Sequence, residues 1–94
     1  MTVHNLMEEI VKSCLKELIS HKSDLALLED KHLDDIAAIA LNNLPPKYVA
    51  SSKGEMLMKT QLRAQVETDV YRELTYAIDK IINHNRTSEL EQGS

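Results

Sequence analysis

The stretch that decides the fold runs from Leu41 to Met56, "LNNLPPKYVASSKGEM". It holds both prolines of the 94-residue chain and, at Gly54, one of its two glycines. Proline fixes its own φ and pushes the preceding residue toward extended backbone, so a helix arriving at Leu44 has to stop, and Pro46 repeats the constraint. Ser51, Ser52 and Gly54 read as the turn that releases the chain into the next helix. The segment is therefore a stiff corner between helices, with Asn42, Leu44, Pro45, Pro46, Tyr48 and Gly54 as its structural residues and Tyr48 expected to anchor it in the core.

In both directions from the corner the apolar spacing is helical. Upstream, a helix over about His32–Asn43 turns Leu33, Ile36, Ala37, Ala40 and Leu41 inward. Asp34 and Asp35 are expected in its first turn, where the helix dipole favours negative charge. Between Lys22 and Lys31 the pattern loosens, with Leu25, Leu27 and Leu28 expected inward. The first helix spans about Asn5–His21. Its stripe is Leu6, Met7, Ile10, Val11, Cys14, Leu15, Leu18 and Ile19, the pattern of an amphipathic helix. Asn5 suits the N-cap, with Glu8 as a capping-box partner.

Downstream, Leu62, Val66, Val70, Leu74, Ala77 or Ile78, and Ile81 predict a third helix over about Glu55–Asn83. It spans about 40 Å at 1.5 Å per residue. A monomer of this size has an expected radius of gyration of about 12 Å. The expectation is an all-α fold: one small helical domain over residues 1–94, ordered over 5–83 and frayed over 84–94, with one long C-terminal helix and a homodimeric state.

Composition supports that reading and excludes others. The core has no Trp or Phe and must be built from aliphatic side chains and Met. The formal net charge of −4 argues against direct nucleic-acid binding, which needs a basic footprint. The one cysteine, Cys14, falls on an apolar helical position, so a buried free thiol and a reducing, cytoplasmic compartment are expected. The start "MTVHNLMEEIVK" lacks the basic and apolar regions of a signal peptide. No apolar run approaches the roughly 18–20 residues of a membrane span.

The run Asp35-Ile36-Ala37-Ala38-Ile39-Ala40-Leu41-Asn42, followed by Leu44-Pro45-Pro46, Tyr48, Ser51-Ser52 and Gly54, resembles the late competence protein ComFB family of bacteria. The closing stretch "TDVYRELTYAIDKI" is also similar to the family's last helix. The resemblance covers about Leu6 to Ile82. It implies a small all-helical homodimer without known enzymatic activity, several of whose relatives are regarded as receptors for cyclic dinucleotides. Some members bind zinc through a cysteine cluster ahead of the Asp35-type helix. This chain has "HKSDLALLEDKH" there, so no metal and no cofactor are expected.

The charge pattern points to the same corner. Between residues 44 and 66, Lys47, Lys53, Lys59 and Arg63 face one acid, Glu55, giving +3 within a chain of −4. Lys47, Ser51, Ser52, Lys53, Lys59 and Arg63 are therefore the candidate ligand residues. The lysines and Arg63 supply charge, and the serines and backbone N–H groups ahead of the third helix supply directed donors. The alternative is a connector with a solvated basic face, in a purely structural or adaptor dimer acting through protein–protein contacts. Tyr71 and Tyr76 read as core-edge or interface residues. His32 with Asp34 and Asp35 lacks zinc-ligand spacing, and no Ser–His–Asp grouping or glycine-rich phosphate loop points to an enzyme.

Overall fold

The computed structural model describes residues 3–22, 28–50 and 54–92, with 85–92 as backbone alone. Its elements in chain order are β1 (Val3–Asn5), α1 (Leu6–His21), α2 (Asp30–Asn42), β2 (Tyr48–Ala50) and α3 (Glu55–Gln92). The chain is mostly helical, as its periodicity predicts.

α1 starts at Asn5, whose Oδ1 accepts the Met7 N–H at 3.1 Å. The same oxygen accepts the Lys47 N–H at 2.8 Å, and the Leu6 N–H donates to the Lys47 carbonyl at 2.8 Å. The cap thus turns toward Met7 and the Pro-Pro corner, where the sequence suggests a box with Glu8. Both backbone groups of the residue after Pro46 are tied to the start of α1.

That tie lays β2 beside β1. The two strands pair antiparallel, Val3 with Ala50, His4 with Val49 and Asn5 with Tyr48. An all-helical reading has no place for this small sheet. Strands of three residues carry no alternation to read, and pairing arises because the corner aims otherwise unpartnered backbone groups at the beginning of the chain.

The sheet also corrects the expectation for Tyr48. Side chains alternate faces along a strand; Val49 points inward at 9 % exposure, whereas Tyr48 is 66 % exposed. The corner is anchored by Leu44 and Val49, one on each side of the prolines, and both are buried. Asn42, Pro45, Pro46 and Lys47 are exposed. Gly54 closes the connection with φ +93°, a left-handed conformation that glycine adopts without a Cβ penalty.

α2 begins at Asp30, ahead of the expected His32, because His32 itself helps to cap it: the Glu29 N–H donates to His32 Nδ1 at 3.2 Å. Asp34 and Asp35 consequently lie beyond the first turn. Leu25 and Leu27 lie outside the described residues, while Leu28 packs against the core. α3 runs to Gln92, well past the expected end at Asn83 and through the tail expected to fray. No Gly or Pro occurs after Asn83 until Gly93, so nothing in the backbone chemistry stops the helix earlier.

The three helices meet in one cluster. Val70, Leu74 and Ala77 of α3, Ile36 and Ala40 of α2, and Val11 and Cys14 of α1 are all fully buried in it. The alanines let the helices approach closely. Cys14 is an unbridged thiol, and burial pushes its pKa up. No helix among the described residues is long and apolar enough to cross a membrane. α3 has 38 residues and the molecule is 56 Å along its longest axis. Its radius of gyration is 15.4 Å, against about 12 Å for a compact chain of this length. Part of α3 lies beyond the core's cover: Met56, Leu57 and Met58 near its start are 77 %, 62 % and 41 % exposed.

Asn5→Ala removes the cap and the tie to Lys47 together. The expected loss is about 1–2 kcal/mol, the upper part of the range for N-cap substitutions. Urea denaturation of parent and variant measures it.

Candidate functional site

α1 and α3 run parallel and face each other through two strings of polar residues, spaced by one turn on α1 and by one and then two turns on α3. α1 offers Glu9, Ser13 and Glu17; α3 offers Lys59, Arg63 and Tyr71. Lys59 Nζ lies 4.0 Å from Glu9 Oε1. Arg63 Nη1 donates to Ser13 Oγ at 3.1 Å, and Nη2 pairs with Glu17 Oε2 at 2.8 Å. The Tyr71 hydroxyl donates to that same Glu17 oxygen at 2.6 Å. The partners ascend together, so they form a ladder along the seam between the helices.

Glu17 is the hub. The hydrogen bond from Tyr71, and then that from Arg63, hold its carboxyl below the ordinary value of 4.5. In return the Glu17 carboxylate pushes the Tyr71 phenol up, and burial adds to that. The same carboxylate makes Arg63 hold its proton more firmly.

The candidate ligand residues divide among three places. Lys59 and Arg63 come together in a cleft of about 260 Å³ with Glu9, Ile10, Ser13 and Thr60. Lys47 lies elsewhere, on a cleft of about 190 Å³ formed with Pro45, Pro46, Leu62, Val66 and Asp69. Ser51, Ser52 and Lys53 are outside the described residues. The +3 window is thus not one basic patch. Two of its cations face carboxylates on α1, which a count along the chain cannot register.

The sequence reading missed three roles. Tyr71 is half-buried and bonded to Glu17, whereas Tyr76 is exposed with Lys80 Nζ 5.5 Å from its ring centre. Glu17, which apolar spacing places on the wet face of α1, joins α1 to α3 through Arg63 and Tyr71. His4 contacts Glu55 through Nε2 and Oε1, and with Glu9 these residues bring three ligand-type atoms within 4.8 Å of one another. Position 55 is far from positions 4 and 9 in sequence, and no spacing rule spans such a set.

A three-helix core, a Leu-Pro-Pro corner stitched to the first helix, and a polar seam beside it define a small helical protein. Residues 4–85 match the family model described as late competence development protein ComFB, and the chain belongs to that family. Membership suggests a competence-related role. No curated protein and no solved structure matches the chain.

The seam gives a pH signature. Glu17 titrates lower in the folded chain than in the unfolded one, so between those two values the folded state binds fewer protons. The seam's contribution is present in full above the ordinary value of 4.5 and is lost as pH falls through the depressed one. Glu17→Gln should therefore flatten the fall of stability below about pH 4.5. Urea midpoints across the acid range measure this; parallel curves for parent and variant would show that Glu17 contributes nothing.

Proposed function

We propose that the chain is a non-enzymatic regulatory module: a homodimer that binds an anionic nucleotide second messenger, a cyclic dinucleotide, with Lys59 and Arg63 as its phosphate contacts. The observation that carries this reading is the convergence of Lys59, Arg63 and the Ser13 hydroxyl on one cleft. Arg63 presents a planar fork that suits phosphate as well as carboxylate. Its present partner, Glu17, is half-exposed, so a phosphate can replace it without opening the core.

Size supports a shared site. The cleft, at about 260 Å³, falls below the roughly 300–1,000 Å³ of pockets that enclose a whole small molecule. One cleft suits one phosphate-bearing half of a two-fold ligand, and a second copy related by two-fold symmetry takes the other half. The exposed Met56, Leu57 and Met58 and the half-buried Leu62 and Val66 supply the apolar surface for pairing along α3. An interface built on them should bury more than about 1,000 Å² in total. Lys47, Ser51, Ser52 and Lys53, on the segment that leads into α3, are the further candidates for contacts.

A second reading, an adaptor dimer without a small ligand, has its own support. Lys59 and Arg63 already face Glu9 and Glu17, and Lys47 lies over a different cleft. Calorimetry with a panel of cyclic dinucleotides separates the two. In the ligand reading the parent binds one of them, and Arg63→Ala weakens binding by about 1.5–3 kcal/mol, the worth of a charged hydrogen bond. Glu17→Gln tightens it by removing the competing carboxylate. If the parent binds none while sedimentation shows a dimer, the adaptor reading stands. A folded monomer at micromolar concentration removes the dimer from both.

A further inference from the structure

We propose that His4, Glu9 and Glu55 form a binding site for a divalent transition-metal ion, with zinc as the best fit. The three residues come from three elements, β1, α1 and the first position of α3, and their ligand atoms all lie within 4.8 Å of one another.

Each ligand is held by backbone that other interactions fix. His4 is paired across the sheet with Val49. Opposed residues of an antiparallel pair share a face, so the buried Val49 sets the imidazole on the inner face of the sheet. Glu9 is about one turn beyond the Asn5 cap, whose side chain is tied at two points. Glu55 follows Gly54, whose positive φ aims the start of α3. The set is therefore pre-positioned without a metal, as a binding site has to be if ordering is not to oppose binding.

Charge balance points the same way. Two carboxylates converge on one imidazole, and like-charge repulsion between the carboxylates opposes that arrangement. Glu55 contacts His4, and Lys59 reaches Glu9 only at 4.0 Å, the far limit of an ion pair. A dication between the three would offset both negative charges. The side chains of His4, Glu55 and Glu9 are 34 %, 27 % and 50 % exposed, so an ion has access from solvent. Zinc–ligand bonds near 2.1 Å in a tetrahedron place ligand atoms about 3.4 Å apart, a closure that the half-exposed Glu9 makes by rotating its side chain.

The donor set selects the metal class. One imidazole nitrogen with carboxylate oxygens suits zinc, while magnesium and calcium take oxygen donors and keep their waters. Three protein ligands leave one position of a tetrahedral ion for water or an outside anion. Binding would also withdraw Glu9 from Lys59, which lines the cleft described above.

The test is calorimetric titration of the chelator-stripped full chain with zinc chloride and, separately, magnesium chloride. The expected result is binding of about one zinc per chain without a comparable magnesium response. His4→Ala and Glu55→Gln should each weaken zinc binding by roughly tenfold or more, and His84→Ala should leave it unchanged. Glu9→Gln, at a half-exposed position, tests the site should the His4 variant fail to fold. X-ray absorption on the zinc-loaded parent should show nitrogen and oxygen neighbours. A parent that takes up no zinc, a His4→Ala or Glu9→Gln variant that binds as the parent does, or a sulfur neighbour from Cys14 would overturn the proposal.

Discussion

One side-chain oxygen, Asn5 Oδ1, joins the beginning of the chain to its middle. It accepts N–H groups from Met7 and from Lys47, residues far apart in sequence, and so serves as helix cap and loop tether at once. The Leu6–Lys47 backbone bond runs beside it. With Lys47 fixed there, Leu44 and Val49 enter the core on either side of the prolines, β2 meets β1, and the path into α3 is set. The position of His4, the height of Glu9 and the start of the polar seam all follow from that attachment. The prolines reduce the freedom the loop has to lose when the attachment forms, which accounts for a rigid corner without reference to a ligand.

Much of the helical frame is legible in the sequence because burial imposes a period on it. The stripe of α1 from Leu6 to Leu15 and the α3 positions Val70, Leu74 and Ala77 are buried as their spacing requires. Boundaries are less legible where a side chain competes for the end: His32 caps α2 from inside it, and a polar run without Gly or Pro lets α3 continue to Gln92. The sheet and the exposure of Tyr48 were not legible, because both depend on a contact across 42 residues between Asn5 and Lys47.

The polar seam is a case between these. Glu9, Ser13 and Glu17 on one helix recur at one-turn spacing in the sequence, and Lys59, Arg63 and Tyr71 on another at one and then two turns. What the sequence does not show is that the two strings face each other in parallel register. A local charge count assigns Lys59 and Arg63 to a basic patch; the packing gives them acidic neighbours on α1. The overall charge asymmetry is thus partly internal complementarity between elements. The same lesson applies to His4, whose partners belong to two other elements.

The composition of the chain makes one of these contacts directly observable. There is no tryptophan, and of the three tyrosines Tyr48 and Tyr76 are exposed while Tyr71 donates its hydroxyl to a carboxylate at 2.6 Å. A carboxylate at hydrogen-bonding distance quenches phenol emission, so Tyr71 is expected to be the dim fluorophore of the set. When Glu17 lets go of it, whether to an anion, to acid or to a shift of α1 against α3, the ring brightens. The unlabelled protein therefore carries its own optical gauge of the seam, readable in an ordinary ultraviolet emission spectrum and fast enough to follow opening in real time.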